Sequence, residues 1–294
     1  MKHYLAIDIG GTAIKYGLIS GDGELLEKEE MATEAYKGGP SILEKIKGLV
    51  KAYQDQMDLA GVAISSAGMV NPDKGEIFYA GPQIPNYAGT QFKKEIEETF
   101  GIPCEVENDV NCAGLAEAIS GSAKGYPVAL CLTIGTGIGG CLLINSQVFH
   151  GSSHAACEVG YLHLSDGEFQ DLASTTALVQ EVAAAFGDKD KWDGRRIFEQ
   201  AKAGDEICVA AIDKQVDYLG QGIANICYVV NPNAVVLGGG IMAQQEYLED
   251  KLKAALNKYL VSSISEKTQL HFAKHANHAG MLGAYYHFKQ KEKA

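Results

Sequence analysis

The chain has 294 residues, 46% hydrophobic and 21% charged, the composition of an ordinary folded protein with one large or two modest domains. Its formal net charge of −12 argues against nucleic acid or an anionic membrane as the main partner, since both select a basic face. Met1-Lys2-His3 leads straight into a strand-like run, so no signal peptide is expected, and no apolar stretch approaches the roughly 20 residues a bilayer requires. The expected location is the cytoplasm.

Residues 3–9, 15–20 and 24–31 read as short strands joined by turns. Asp8-Ile9-Gly10-Gly11-Thr12 joins the first two, with Lys15 just beyond as a charge partner. Glycine bends tightly and brings several backbone N–H groups near a ligand, which suits phosphate oxygens. A helix is predicted over 41–57 from the spacing of Ile42, Ile46, Leu49, Val50 and Tyr53. A buried strand, 59–64, ends in the small-residue stretch Ser65-Ser66-Ala67-Gly68. A proline-containing loop with Asn86 follows, then a helix near 90–100 and a strand at 104–106. Gly68 and Asn86 are expected to line a substrate cleft. Glu107-Asn108-Asp109 then feeds a small-residue helix, 110–120. A carboxylate there can take the proton from an attacking hydroxyl, with Asn108 binding that hydroxyl or its neighbour. Asp in this place also commonly caps a helix, and the residues alone leave both readings open.

The pattern restarts at Val128. An apolar run leads into Thr133-Ile134-Gly135-Thr136-Gly137-Ile138-Gly139-Gly140, and a second apolar run follows. The glycines fit G-x-G-x-x-G but enter a strand rather than a helix, which disfavours a dinucleotide site. The P-loop pattern is absent. Glu158 lies shortly beyond and is a candidate acceptor for substrate hydroxyls. Helices are predicted near 174–186, 195–202 and 206–229. A strand at 234–237 runs into Gly238-Gly239-Gly240, where bare backbone suits an adenine or ribose, or simply a tight connection. A helix (244–257), a strand (268–273) and a helix (280–292) complete the chain. His271, His275 and His278, like His150 and His154, have suggestive spacing but no common orientation, so a metal site is not expected. Seven cysteines without C-x-x-C suggest neither disulfides nor a zinc knuckle. Two phosphate turns predict a polyphosphate held between two domains. The alternation and restart predict an α/β fold of two related lobes with a cleft between them, divided as 1–116 plus 280–294 and 117–279.

Taken together, these residues resemble the ROK family of sugar kinases, repressors and related open reading frames. The resemblance covers nearly the whole chain. It rests on Asp8 to Thr12, Glu107-Asn108-Asp109 with Asn111, Gly135 to Gly140, Gly151 with Glu158, and Gly238-Gly239-Gly240-Ile241. It implies an actin-like ATPase (ribonuclease H-like) fold and transfer of the ATP γ-phosphate to a sugar hydroxyl, usually at C6. On that basis Asp109 is the base, and Gly68, Asn86, Asn108, Glu158 and Tyr161 bind the sugar. Asp8, Gly10, Gly11, Thr12, Lys15, Thr133, Gly135, Thr136 and Gly137 hold the phosphates, and Gly239 and Gly240 lie near the nucleoside. Mg²⁺ bridges the phosphates, near Asp8, and a homodimer is expected.

Tyr161 stands where many family members carry the His of Glu-x-Gly-His, and the zinc-binding cysteine cluster is missing, Leu164 to Gln170 running directly on to Leu172. No structural zinc is therefore expected. This combination resembles the β-glucoside kinase branch, which 6-phosphorylates the non-reducing glucose of cellobiose and related β-glucosides. A ROK glucokinase and an N-acetylhexosamine or N-acetylmannosamine kinase are the alternatives within the family. A sugar-responsive regulator or a sensor without catalysis is the alternative of a different class. It is disfavoured by the acidic chain and by a first strand too early to follow a helix-turn-helix.

Overall fold

The computed structural model describes residues 2–188 and 191–293. It divides into two units, the first comprising Met1–Ile119, Val148–Ala156 and Asn277–Ala294, the second Ser120–Gln147 and Cys157–Ala276. The sequence reading places Val148–Ala156 in the second lobe. It groups with the first because His150 Nε2 bonds Glu107 Oε2 at 2.6 Å, a pairing across 43 residues that no local pattern announces.

The first unit contains β1 (His3–Ile9), β2 (Ala13–Ser20), β3 (Glu29–Ala32), α1 (Gly39–Gln54), β4 (Leu59–Ser66), the hairpin β5 (Met69–Asn71) and β6 (Glu76–Tyr79), α2 (Phe92–Phe100), β7 (Cys104–Asn108) and α3 (Asp109–Ser120). The C-terminal helix, Ala279–Lys291, also belongs to it. Its sheet has the order β3-β2-β1-β4-β7. β2 runs antiparallel to both of its neighbours, β1 and β3, and β1, β4 and β7 are parallel. Strand periodicity assigns the faces. Leu5, Ile7 and Ile9 join Ile42, Ile46 and Val50 of α1 and Phe92 and Ile96 of α2 in one buried cluster. Tyr4 and Ala6, with Ala63, face the other way and meet Cys112 of α3 and Met281, Tyr285 and Phe288 of the C-terminal helix. That helix presses so closely on α3 that a Cβ on Gly283 would fall 1.8 Å from the Cys112 carbonyl oxygen. β3 begins at Glu29 rather than near 24. The backbone of Glu27 crosses Gly17, where a Cβ would lie 1.9 Å from the Glu27 carbonyl oxygen, and Leu25 makes only an isolated bridge to Ile19.

The second unit contains β8 (Val128–Ile134), β9 (Ile138–Ile144), β10 (Gln147–Val148), β11 (His163–Leu164), β12 (Gly167–Glu168), α4 (Phe169–Ala173), α5 (Thr175–Phe186), α6 (Gly194–Lys202), α7 (Glu206–Val230), β13 (Ala234–Gly238), α8 (Gln245–Tyr259), α9 (Ser262–Ser265) and β14 (Gln269–Phe272). Its main sheet has the order β10-β9-β8-β13-β14, with β8 antiparallel to β9 and parallel to β13, which is parallel to β14. Leu130, Leu132 and Ile134 of β8 share a core with Leu219 and Ile223 of α7. The 25-residue α7 is capped at its start by Asp205, whose carboxylate accepts from Cys208 N, and at its end by left-handed Asn231. Numbered by its own strands, each main sheet runs 3-2-1-4-5, with strand 2 antiparallel to strand 1 and strands 1, 4 and 5 parallel in both. That duplicated ribonuclease H-like pattern is the actin-like ATPase fold. Among the described residues no helix is long and apolar enough to cross a membrane.

Candidate active site

The first glycine turn closes the β1–β2 hairpin between Ile9 and Ile14, which are partners in register. Three bonds from outside the hairpin hold it. Thr33 Oγ1 donates to Gly10 O at 2.6 Å, Thr33 N to Thr12 O at 3.0 Å, and Ala67 N to Ile9 O at 3.1 Å. Inside the turn Gly10 N donates to Ala13 O at 3.1 Å, and the space a Gly11 side chain would fill is open. Asp8, one residue before this turn's strand end, is partnered by Lys15 on β2 and Ser65 on β4. Ser65 Oγ donates to Asp8 Oδ1 at 2.7 Å. Burial pushes the Asp8 carboxyl above its ordinary value, opposed by the Ser65 bond and the Lys15 charge. Gly280 opens the C-terminal helix directly against it: a Cβ there would lie 2.4 Å from Asp8 Cγ and Oδ1. A partly desolvated carboxylate with one hydroxyl donor fits a hydrated Mg²⁺, which takes one or two carboxylates and fills its remaining positions with water and phosphate oxygens.

The turn at the end of β7 is built around an amide. Asn108 Oδ1 accepts from Val110 N at 2.9 Å and Asn111 N at 3.1 Å, while its Nδ2 donates to Gly68 O at 2.9 Å and Asp109 Oδ1 at 3.0 Å. Asn108 is therefore the N-cap of α3. Asp109, the first helical residue, shares the Val110 N–H through Oδ1, also at 2.9 Å. The sequence left capping and base as rival readings of Asp109, and the structure gives the cap to its neighbour. Asn108 uses all four of its amide hydrogen-bonding positions, so its contribution here is to orient Asp109 rather than to present a free amide. Gly68, at φ 90°, enters through its carbonyl. A Cβ there would meet Tyr79 O at 2.9 Å.

Ser66 lies beside Asn108 in the β4–β7 register, and its Oγ is 2.6 Å from the Tyr87 hydroxyl. Burial pushes the Tyr87 phenol upward, the Ser66 bond opposes it, and the Asp109 charge adds to it. Sequence reasoning missed Tyr87, which sits among loop residues; a large aromatic between Asn86 and Ala88-Gly89 was the available signal. Asn86 itself is exposed, in a left-handed conformation at φ 51°, and makes no hydrogen bond to the Asn108–Asp109 pair among the described residues.

In the second unit, Ile134 and Ile138 flank the turn Gly135-Thr136-Gly137. Gly135 N donates to Gly137 O and Thr175 N to Gly135 O, both at 2.9 Å, and no atom crowds the Gly135 side-chain position. Thr133 pairs with Gly238 across β8 and β13. Gly239 follows at φ 108°, with a hypothetical Cβ 2.1 Å from Ile134 O, whereas Gly240 faces open space. The triple glycine thus leaves its strand hard against the base of the second glycine turn. Gln170 Oε1 would meet a Cβ on either Gly137 or Gly160 at 2.9 Å, so its amide lies against both this turn and the short helical turn Val159–Tyr161. Glu158 precedes that turn. Its carboxyl is raised by desolvation and has no hydrogen-bond partner among the described residues. Tyr161 is 48% exposed.

Among the described residues no group of three or more His, Cys, Asp and Glu side chains is arranged to hold a metal ion. His271 Nε2 lies 3.0 Å from the Tyr126 hydroxyl, and His275 Nε2 lies 2.9 Å from Ser120 Oγ.

A family model described as the ROK family matches residues 4–291. A beta-glucoside kinase of Listeria monocytogenes is 33% identical over 296 residues, covering 98% of this chain and 97% of its own. A solved ROK family protein from Streptococcus pneumoniae TIGR4, in complex with sucrose, superposes with a TM-score of 0.87 at 30% identity over 99% of both chains. A ROK family glucokinase from Streptomyces griseus, in complex with glucose and AMPPNP, gives 0.82 at 27% identity over 96% of this chain and 97% of that one.

Proposed function

Because the chain belongs to the ROK family and is an ATP-dependent sugar kinase, we propose that its acceptor is the C6 hydroxyl of a glucosyl unit in a β-glucoside such as cellobiose. Asp109 takes the proton of that hydroxyl as the γ-phosphoryl group arrives. The observation that carries this role is the built turn. Asn108 caps the helix and donates to Asp109 Oδ1, so the carboxylate is fixed at a strand end without serving as the cap itself. Backbone N–H groups of Gly10 to Thr12 and Gly135 to Gly137 receive phosphate oxygens, and Gly239 and Gly240 leave backbone bare for the nucleoside. Asp8 is the carboxylate placed to hold a Mg²⁺ that would arrive with ATP and would neutralise phosphate charge.

Glu158 is the proposed acceptor for sugar hydroxyls, with Tyr161 beside it. Three facts favour a β-glucoside over a free hexose. The beta-glucoside kinase is 33% identical, against 28% for a glucokinase, Tyr161 stands where many family members carry a histidine, and the pneumococcal neighbour holds a disaccharide, whose α-linked glucose speaks for room for a second ring and not for the anomer. Glucose is the second reading, because it is the ligand of the Streptomyces neighbour. A homodimer in the cytoplasm completes the proposal, on the family resemblance.

ADP release with Mg-ATP, compared across cellobiose, gentiobiose, glucose, N-acetylglucosamine and N-acetylmannosamine, tests the acceptor. A kcat/KM at least about tenfold higher for the disaccharides, worth about 1.4 kcal/mol of differential transition-state binding, is expected. A preference for glucose or an N-acetyl sugar keeps the kinase and discards the β-glucoside.

A further inference from the structure

We propose that Glu107 and His150 form a positioning pair for the base, holding the backbone and amide groups on either side of Asp109 without touching substrate. The proposal rests on the kinase reading given above.

Glu107 is wholly buried at the end of β7, where a carboxylate is tolerated only when its charge is compensated and its oxygens are hydrogen-bonded. Both oxygens are engaged. Oε1 accepts from Asn108 N at 2.7 Å and Asn111 Nδ2 at 3.0 Å, so one atom grips the residue before the base and a residue two beyond it. Oε2 accepts from His150 Nε2 at 2.6 Å. The chain of contacts runs from His150 through Glu107 to Asn108, whose amide then bonds Asp109 Oδ1. His150 arrives on the separate segment Val148–Ala156, so the clamp depends on tertiary structure rather than on the turn alone.

The titratable groups facing Glu107 are His150, His287 of the C-terminal helix, whose Nδ1 lies 3.6 Å away, and Cys112 of α3. Burial pushes Glu107 upward. The His150 bond, the His287 and His150 charges and the Asn111 bond outweigh it and hold the carboxyl below its ordinary value. Burial drives His287 down to about 4 and keeps it neutral near pH 7, which leaves His150 as the partner that matters there. Burial also raises the Cys112 thiol far above its ordinary value. Without the His150 donor, Glu107 would take up a proton at higher pH and loosen its hold on Asn108 N.

The test compares His150→Leu, His150→Gln and the wild type. In His150→Leu, kcat is expected to fall about 10- to 100-fold, as a small misplacement of a base does, with both KM values within about threefold. The acid limb of the kcat profile should move to higher pH. His150→Gln, which restores an N–H donor, should recover most of kcat. Unchanged kcat and acid limb in His150→Leu would overturn the proposal. So would a folded His150→Gln no better than His150→Leu. Should His150→Leu not fold, Glu107→Gln serves instead, with a lowered kcat expected and a wild-type kcat overturning the pair. If the wild type phosphorylates no sugar, the kinase reading falls on its own. The clamp is then judged by amide hydrogen exchange at Asn108, slow in the wild type and faster in His150→Leu if the pair positions the turn, equal in both if it does not.

Discussion

Gly280→Ala isolates the contact that gives Asp8 its room. The added Cβ would sit 2.4 Å from Asp8 Cγ and Oδ1 and 2.6 Å from Oδ2, about 1 Å inside ordinary non-bonded contact. Either the carboxylate leaves Ser65 Oγ, to which it is bonded at 2.7 Å, or the C-terminal helix lifts from the sheet. Overpacking of this kind costs about 1–3 kcal/mol, and alanine returns up to about 1 kcal/mol through helix propensity. A net destabilisation of about 1–2 kcal/mol is expected, together with a fall of about 100-fold in kcat/KM for ATP, equivalent to about 2.7 kcal/mol. Asp8→Ala removes the atoms that are struck. In that background Gly280→Ala should be neutral or stabilising by up to about 1 kcal/mol, so the cycle yields a coupling of about 2 kcal/mol. Urea unfolding of the four proteins, with ADP release for the two that retain Asp8, measures it. Equal cost of Gly280→Ala in both backgrounds would refute the reasoning.

Asp109→Asn should lower kcat by about 10²–10⁴-fold, the range for loss of a general base, with the sugar Kd by calorimetry changed only a few-fold; full activity would remove Asp109 as base. His287 gives a stability that depends on pH. Its ordinary value of 6.5 falls to about 4 in the folded protein, so the unfolded chain binds more protons between those limits. The folded state is therefore favoured fully above 6.5 and loses stability as pH drops towards 4, by about 3 kcal/mol at about 1.4 kcal/mol per pH unit. His287→Gln should lose markedly less between pH 7.5 and 4.5 in urea unfolding, and an identical loss would refute the assignment. Gly239→Ala, at φ 108° and with its Cβ 2.1 Å from Ile134 O, should cost more than about 1 kcal/mol. It should raise KM for ATP more than KM for sugar, and an unaltered ATP KM would detach Gly239 from the nucleotide.

Both glycine turns were readable because turn chemistry is local. Glycines between two apolar runs mark a tight bend within a few residues of sequence, and Ile9–Ile14 and Ile134–Ile138 pair across the two bends as that pattern implies. Long helices such as α7 were readable for the same reason, their caps and apolar spacing lying within the segment itself. What escaped the sequence is decided by contacts between distant residues. The late start of β3 depends on Glu27 passing over Gly17, and the place of Val148–Ala156 depends on His150 meeting Glu107. Ser66 and Tyr87 touch across 21 residues. Gly280 carried a usable hint, since glycine inside a helical pattern costs about 1 kcal/mol relative to alanine and calls for a packing reason.

Asn108 answers a question that the helix propensities alone leave open. Asn, Asp and Ser are nearly equivalent as N-caps, because each offers an oxygen to the first free N–H groups of the helix. Of the three, only the amide offers two N–H donors beside its capping oxygen, and here both demands fall on one side chain. Its oxygen caps Val110 and Asn111, while its nitrogen holds Gly68 O and Asp109 Oδ1. Aspartate at 108 would keep the cap but place a second negative charge against Asp109, the proposed base, raising the pH at which the pair ionises. Serine would keep the cap but reach neither Gly68 nor Asp109 with a fixed pair of donors. The backbone N–H of the same residue is committed to Glu107 Oε1. The residue before the base is thus held through its backbone by one buried carboxylate and, through its amide, holds another. Helix initiation and orientation of the proposed base, Asp109, are one structural event.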